Sequence, residues 1–150
     1  MSAVVVHLAP ITLDNWQDCI HLQLDPHQEG LLATNLYSLA EAYVQPECQP
    51  RALYDGDTMI GFAMYLYDLR SGAWWVPRFM VDRRHQGRGY GRAGMQAVIA
   101  ELWAQPLSAP VMISLTPGNA PAQRLYESLG FTDTGRRSHG EIVLCLPAPD

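Results

Sequence analysis

The sequence predicts an α/β protein built around a mixed β-sheet. Three observations predict this class: a meander of apolar strands in the middle of the chain, amphipathic helical stretches on either side of it, and alternating strands and helices towards the end. Together they predict the order β-α-α-β-β-β-α-β-α-β-β. At 150 residues, the chain is most simply one domain spanning positions 1–150, which is long enough to bury a core.

The first third of the chain predicts one strand and two helices. The strand is predicted over Ala3 to Leu8. Asp14 is predicted to cap a helix that runs through Leu22, since its side chain can accept hydrogen bonds from the free amides of the first turn. After a polar connection that contains Pro26, the second helix is predicted over Leu31 to Tyr43.

Residues 51–81 predict an antiparallel meander, because Asp55-Gly56 and Arg70-Ser71-Gly72 are hairpin signals between apolar runs. Apolar residues at helical spacing then predict a helix over residues 91–104. The remaining predicted elements are the strand Val111–Leu115, a helix that follows Asn119 and ends at Gly130, and strands at Phe131–Thr134 and Glu141–Leu146.

The composition predicts a reduced, cytoplasmic globular protein. Apolar residues make up 48% of the chain and charged residues 17%, which is an ordinary globular balance. Cys19, Cys48 and Cys145 are odd in number and widely spaced, so they predict neither a disulfide framework nor a metal site. We expect no membrane segment and no signal peptide, since the apolar runs are short and the N-terminal region lacks basic residues.

Charge is distributed unevenly along the chain. The first 50 residues contain no arginine or lysine but six acids, which makes this segment −6 by count against −5 for the whole chain: Asp14, Asp18, Asp25, Glu29, Glu41 and Glu47. Four of the ten arginines lie within residues 83–92. The acids are either a solvated surface or a site for a cation. A net-acidic chain with one small basic cluster argues against general nucleic-acid binding.

The same basic cluster, RRHQGRGYGR at residues 83–92, is a glycine loop between a predicted strand and a predicted helix. Gly89, Gly91 and Gly94 fit the dinucleotide fingerprint, but a meander precedes them and no acid follows the next strand. A Walker loop needs a lysine, which the chain lacks. The loop is therefore either a tight turn or an anion-binding site, and several glycines among arginines favour the second.

Two motifs resemble those of the GNAT superfamily of N-acetyltransferases. Gln86 to Gly91 fits the acetyl-CoA signature Q/R-x-x-G-x-G/A, and NAPAQRLYESLGF (Asn119 to Phe131) resembles motif B. The resemblance covers roughly residues 50–146. It implies a mixed, mostly antiparallel central sheet flanked by helices, acetyl-CoA as cosubstrate and no metal.

The resemblance also implies roles for individual residues. The loop would bind the CoA pyrophosphate, the strand before it would pair with the pantetheine arm, and Asn119 would bond to that arm. Tyr126 would protonate the departing thiolate, as a phenol that is protonated at neutral pH can do. The implied cofactor-binding residues are Phe79, Met80, Val81, Gln86, Gly87, Arg88, Gly89, Tyr90, Gly91, Arg92 and Asn119.

Within the superfamily, the chain is most similar to the bacterial spermine/spermidine (diamine) acetyltransferases. An acidic, lysine-free first segment also suits a linear polycation. The candidate acceptor contacts are Glu29, Asn35 and Glu41, with Tyr37 and Trp75 as aromatic walls. The alternative is that the acids are ordinary surface residues and that the aromatic residues belong to the core.

One position departs from the pattern of these relatives. Some of these relatives carry an acid two residues before the strand segment that corresponds to Phe79-Met80-Val81. In this chain that position is Pro77, which cannot act as a base. Either Glu29, Asp82 or Glu141 supplies the base, or the acceptor is not a polyamine. The alternatives are a protein N-terminus, a lysine, an amine antibiotic or a catalytically silent CoA-binding module, and the family resemblance leads us to expect a homodimer.

Overall fold

A computed structural model describes residues 4–28 and 33–149. The described helices and strands follow the predicted order. The strands are β1 (His7–Pro10), β2 (Gln49–Asp55), β3 (Thr58–Asp68), β4 (Ala73–Val81), β5 (Val111–Leu115), β6 (Thr132–Ser138) and β7 (Glu141–Leu146). The α-helices are α1 (Trp16–His21), α2 (Asn35–Val44), α3 (Tyr90–Trp103) and α4 (Ala120–Ser128).

All seven strands form one sheet in the order β1-β2-β3-β4-β5-β7-β6. Neighbouring strands run antiparallel except β4 and β5, which are parallel. The prediction of a mixed, mostly antiparallel sheet flanked by helices is therefore confirmed.

The start of the chain differs from the prediction in detail. The first strand is His7–Pro10 rather than Ala3–Leu8; Ala3 itself lies outside the described residues. Asn15, not Asp14, is the residue before α1, and its side chain accepts from the Thr12 amide at 2.7 Å. The Asp14 amide donates to Thr12 Oγ1 at 3.2 Å, and the Asp14 carboxylate makes no hydrogen bond to a described residue.

The second helix begins later than predicted. Thr34 caps α2, and its hydroxyl oxygen accepts a hydrogen bond from the Tyr37 amide at 3.1 Å. The predicted start at Leu31 lies outside the described residues. Apolar periodicity extends past a helix end, whereas the cap fixes the first helical residue, so the pattern alone placed the boundary too early.

The two faces of the sheet are covered by different helices. On one face, Met95, Val98 and Leu102 of α3 pack in the main core cluster with Ile113 and Leu144 of the sheet. On the other face, residues of α1 and α2 pack against β3 and β4 in a second cluster that includes Cys19, Leu22, Phe62, Met64 and Met80. We call these the α3/α4 face and the α1/α2 face.

The parallel strands β4 and β5 are paired only at their first residues, Trp74 with Val111 and Trp75 with Met112. Immediately beyond this point the register between β3 and β4 shifts, with Leu66 opposite Trp75 and Met64 opposite Arg78. Pro77 lies in this bulge, a position that tolerates a residue without a backbone N–H. The bulge bends β4 away from β5, so the sheet is open between them.

Candidate active site

The opening between β4 and β5 is a cleft of about 360 Å³. Its walls come from both faces of the sheet and from the glycine loop before α3. It is lined by Leu24, Gln28, Phe79, Met80, Val81, Gln86, Gly87, Gly91, Ser114, Leu115, Thr116, Asn119, Pro121, Ala122, Leu125, Tyr126 and Glu141.

The glycine loop meets the cleft at the N-terminus of α3. Gly87 and Gly89 have φ angles of +78° and +85°, which side chains rarely adopt, and a Cβ on Gly87 would meet no described atom within 4 Å. The backbone amides from Gly87 to Arg92 donate no hydrogen bond to any other described residue. Free amides at the positive end of a helix dipole bind anions. The residues present therefore fit a pyrophosphate, as the resemblance implies.

The end of β4 presents a free backbone edge to the cleft. Phe79, Met80 and Val81 pair with β3 on one side, opposite Ala63, Phe62 and Gly61. On their other side they have no β5 partner, because pairing there ends at Trp75. Such an edge can pair with an extended amide-containing chain, which is the role predicted for these three residues in binding pantetheine.

Several side chains of the loop stabilise it rather than point at an anion. Gln86 Nε2 donates to the Val81 carbonyl and to Gln28 Oε1, both at 2.9 Å. The Tyr90 hydroxyl donates to the Asp55 carboxylate. Arg92 donates to Ser128 Oγ at 2.7 Å. The loop therefore offers mainly its backbone to a ligand.

Arg83 and Arg88 are the loop arginines whose side chains make no hydrogen bond or ion pair with another residue in the described part of the chain. Both are exposed. Of the arginines in the loop, these two are free to meet phosphate groups.

Tyr126 lies on α4 at the cleft and packs edge-on against Phe131, with ring centroids 5.9 Å apart. Burial raises the pKa of Tyr126 to about 12. Its hydroxyl makes no hydrogen bond to another described residue. At the start of the same helix, Asn119 Oδ1 caps α4 by accepting a hydrogen bond from the Ala122 amide at 3.4 Å. Tyr126 is thus a protonated phenol available as a proton donor.

The candidate acceptor contacts lie away from the described cleft lining, and Glu29 is outside the described residues. Asn35 is buried and donates to the Cys19 carbonyl at 2.9 Å. Glu41 pairs with Arg78 at 3.0 Å. Tyr37 is 60% exposed on α2, and Trp75 packs near Met112 and Val143. Asn35, Glu41 and Trp75 are therefore engaged in other contacts, and none of the four described candidates lines the cleft.

Asp82, one of the three candidate bases, is buried and fully engaged. It accepts from the Gln23 amide and from Arg84 Nε, both at 2.8 Å. Burial raises the pKa of Asp82, but these hydrogen bonds outweigh it and hold the pKa below its usual range. Asp82 therefore links the segment before α2 to the glycine loop and is not placed to take a substrate proton.

Sequence reasoning missed several cleft residues, among them Gln28, Ser114, Thr116 and Leu125. Gln28 is 58 positions from its hydrogen-bond partner Gln86. A local sequence pattern cannot reveal a contact between residues so far apart. Ser114 and Thr116 could have been predicted from the sequence, because small polar residues near the end of a buried strand often belong to a ligand site.

The acetyltransferase (GNAT) family model matches residues 16–131. The chain is also 29% identical over 146 residues to a spermine/spermidine N(1)-acetyltransferase of Bacillus subtilis, and the match covers 93% of this chain and 96% of that protein.

Solved structures show the same fold at low identity. The spermidine N-acetyltransferase of Vibrio cholerae in complex with CoA and spermine superposes with a TM-score of 0.72 at 14% identity, over 93% of this chain and 92% of that one. An aminoglycoside acetyltransferase in complex with coenzyme A and kanamycin superposes with a TM-score of 0.79 at 18% identity, over 95% and 94%. With the sequence match and the cleft geometry, the chain belongs to the acetyltransferase (GNAT) family and is an acetyl-CoA-dependent N-acetyltransferase.

Proposed function

We propose that the protein transfers acetyl from acetyl-CoA to a primary amine of a small polycation, namely a polyamine or diamine such as spermidine or spermine. The match along nearly the whole chain to a spermine/spermidine acetyltransferase carries this proposal. The charge of the first 50 residues supports it, because six acids and no basic side chain favour a linear cation nearby.

The proposed reaction is direct attack by the amine in a ternary complex. Acetyl-CoA supplies the activated thioester carbonyl. The loop from Gly87 to Arg92 binds the pyrophosphate, the free edge of β4 orients the acetyl carbonyl, and the Val81 amide lies on the strand segment that can polarise it. Tyr126 donates its proton to the leaving thiolate. Because its pKa is about 12, Tyr126 remains protonated at every pH at which the amine is commonly assayed.

A panel of amines tests the acceptor class. Purified protein is assayed for CoA thiol release with acetyl-CoA and spermidine, spermine, a diamine, kanamycin or an N-terminal alanine peptide. We expect the polyamines to have the highest kcat/KM. Turnover of kanamycin or the peptide alone would overturn the polyamine assignment while leaving acetyl transfer in place.

The Tyr126→Phe variant tests the proton donor. We expect kcat to fall by roughly 10² or more, which is the usual contribution of a general acid, while the Kd for CoA stays within about twofold. The matched control is Tyr43→Phe, since Tyr43 is 87% exposed on α2. Equal kcat in wild type and Tyr126→Phe would remove Tyr126 from the mechanism.

An aminoglycoside is the second candidate acceptor, because an aminoglycoside acetyltransferase has the same fold over 95% of this chain. It too is a polycationic amine.

A cytoplasmic location, a single domain over positions 1–150 and a homodimer remain part of the proposal. Sedimentation of the purified protein measures whether it is a homodimer. Among the described residues, no helix is long and apolar enough to cross a bilayer.

A further inference from the structure

The cleft lining includes a carboxylate, that of Glu141, the first residue of β7. It is the only acid lining the cleft among residues 4–28 and 33–149, and that lining contains no arginine, lysine or histidine. The Glu141 carboxylate makes no hydrogen bond or ion pair with another described residue. By contrast, Asp82 and Glu41 are occupied by Arg84 and Arg78. Glu141 is thus an uncommitted charge in the cleft.

The strand alternation places Glu141 on the α1/α2 face. Side chains at positions i and i+2 of a strand share a face, and Ile142 and Leu144 pack in the cluster that contains α3. Val143 and Cys145 instead pack with Met112 and Trp75. Glu141 therefore lies on the same side of the sheet as Val143.

That side is the α1/α2 face because directly paired residues share a face. Trp75 is paired with Met112, which is paired with Cys145. Trp75 is also opposite Leu66, which packs against the cluster beneath α1 and α2. The cleft is lined from this face by Leu24 and Gln28. Tyr126 packs in the α3 cluster on the opposite face, so the proton donor and the carboxylate are on opposite sides of the opening.

A tight turn precedes Glu141. Ser138 and Glu141 are paired across a two-residue turn, His139-Gly140, whose φ angles are +51° and +81°. His139 is the only non-glycine residue with positive φ in the described part of the chain. Two consecutive left-handed residues are typical of the tight turns that match the twist of a hairpin. The turn thus sets both the start of β7 and the place of its first side chain.

We propose that Glu141 is the catalytic residue that binds the reacting ammonium group of the acceptor and takes its proton. This inference rests on the proposed function. An alkyl ammonium with a pKa of about 10.4 must lose a proton before it can attack, and Glu141 receives that proton, directly or through one water. It then releases the proton to solvent.

Acetyl transfer then forms one bond at the carbonyl carbon and breaks another. The freed nitrogen lone pair forms the C–N bond to the acetyl carbonyl carbon, and the C–S bond breaks. The departing sulfur takes the Tyr126 proton, and the second proton lost by the nitrogen returns to Tyr126. The net products are the acetamide, CoA thiol and one proton in solution. Glu141 on one face of the sheet would receive the amine proton, and Tyr126 on the opposite face would protonate the departing sulfur.

The test compares Glu141→Gln, Glu141→Asp and the control Glu127→Gln, whose side chain is exposed on α4 outside the cleft lining. We expect Glu141→Gln to lower kcat/KM for spermidine by roughly 10² at pH 7, with the Kd for CoA within about twofold of wild type. Glu141→Asp should recover part of the loss, and Glu127→Gln should match wild type. Equal activity of Glu141→Gln and wild type would overturn the proposal.

The pH profile separates proton transfer from a structural effect. For Glu141→Gln, kcat/KM should rise roughly tenfold per pH unit towards the pKa of the amine, because only free amine reacts, and the defect should shrink. Tyr126 is the other titratable group in the described cleft lining, His139 lies in the adjoining turn, and Arg137 on β6 is paired with the next residue, Ile142. Tyr126→Phe and His139→Asn profiles therefore serve as references. A defect of the same size at every pH would contradict a role in proton transfer.

A binding measurement keeps this proposal distinct from the proposed function. Spermidine is titrated calorimetrically into the CoA complex of Tyr126→Phe and of Tyr126→Phe/Glu141→Gln. The second variant should bind at least tenfold more weakly. If wild type acetylates no amine in the panel, the proposed function fails. If affinity for the protonated amine is unchanged, the Glu141 assignment fails, whatever the activity.

Discussion

At the residue scale, backbone conformation and free polar groups matter more in this site than the number of charged side chains. Gly87 and Gly89 hold left-handed conformations at the mouth of the cleft, and the amides that follow are unpaired. The side chains of Gln86, Tyr90 and Arg92 instead hydrogen-bond to the protein. We therefore propose that binding of a pyrophosphate at this loop depends on the shape of the backbone, which a single Cβ can change.

Gly87→Ala tests this directly against Gly56→Ala. Both glycines have positive φ, +78° and +59°, and a Cβ on either meets no described atom within 4 Å. Both variants should lose about 1 kcal/mol of unfolding free energy, the cost of a left-handed alanine. Only Gly87→Ala should weaken CoA binding, by tenfold or more in a calorimetric titration. Similar CoA affinity in both variants would contradict the pyrophosphate assignment.

At the element scale, the segment between α1 and α2 is joined to the end of β4 and the glycine loop. Gln23 accepts from the Arg83 amide at 2.7 Å and donates its own amide to Asp82 at 2.8 Å. Gln28 accepts from Gln86 at 2.9 Å. The part of the cleft wall that contains Gln28 and the glycine loop thus form one connected unit, held together by partners nearly 60 positions apart in sequence.

A double-mutant cycle of Gln28→Ala and Gln86→Ala measures this connection. Gln86→Ala removes its side-chain bonds to Gln28 and Val81, and Gln28→Ala removes the bonds that its side chain accepts from Gln86 and from the Asp25 amide. Each variant loses two hydrogen bonds and should therefore cost about 2 kcal/mol of unfolding free energy. The double variant should lose roughly 1 kcal/mol less than the sum. Strict additivity in urea unfolding would mean that the two side chains do not interact in solution.

At the scale of the whole molecule, charge is separated along the chain. The first 50 residues carry −6 by count, and the four arginines of residues 83–92 lie beside the cleft. One region thus favours a cation and the other a phosphate-bearing cosubstrate. Asp14, Asp18 and Glu47 are exposed, so their combined field extends into solvent and is screened by salt.

Salt dependence tests this separation. Raising ionic strength from about 0.02 M to 0.5 M should lower kcat/KM for spermidine by roughly tenfold, because the field attracts a trivalent cation. The matched acceptor is a monoamine of similar length, for which the decrease should be smaller. Equal salt sensitivity of the two acceptors would show that the acidic segment does not attract the polyamine.

Much of the fold could be predicted from local patterns. Val111–Leu115 and Glu141–Leu146 are strands with the predicted bounds, since their short length and the turn residues that flank them favour a strand over a helix. α4 begins directly after Asn119, as expected. The starts of β1, α1 and α2 were not predicted correctly or lie outside the described residues, because caps and strand partners, rather than periodicity, set those boundaries.

The sequence by itself determined the class of chemistry: the glycine loop, Asn119 and Tyr126 recur at fixed local spacings, and local spacing can be read without a structure. Only the tertiary structure decided which face each group occupies. The bulge at Pro77 separates β4 from β5, and the turn before β7 brings Glu141 to the opening. Both depend on pairing between distant strands, so the proposal of Glu141 rather than Asp82, two of the candidate bases already present in the sequence, rests on the assembled sheet.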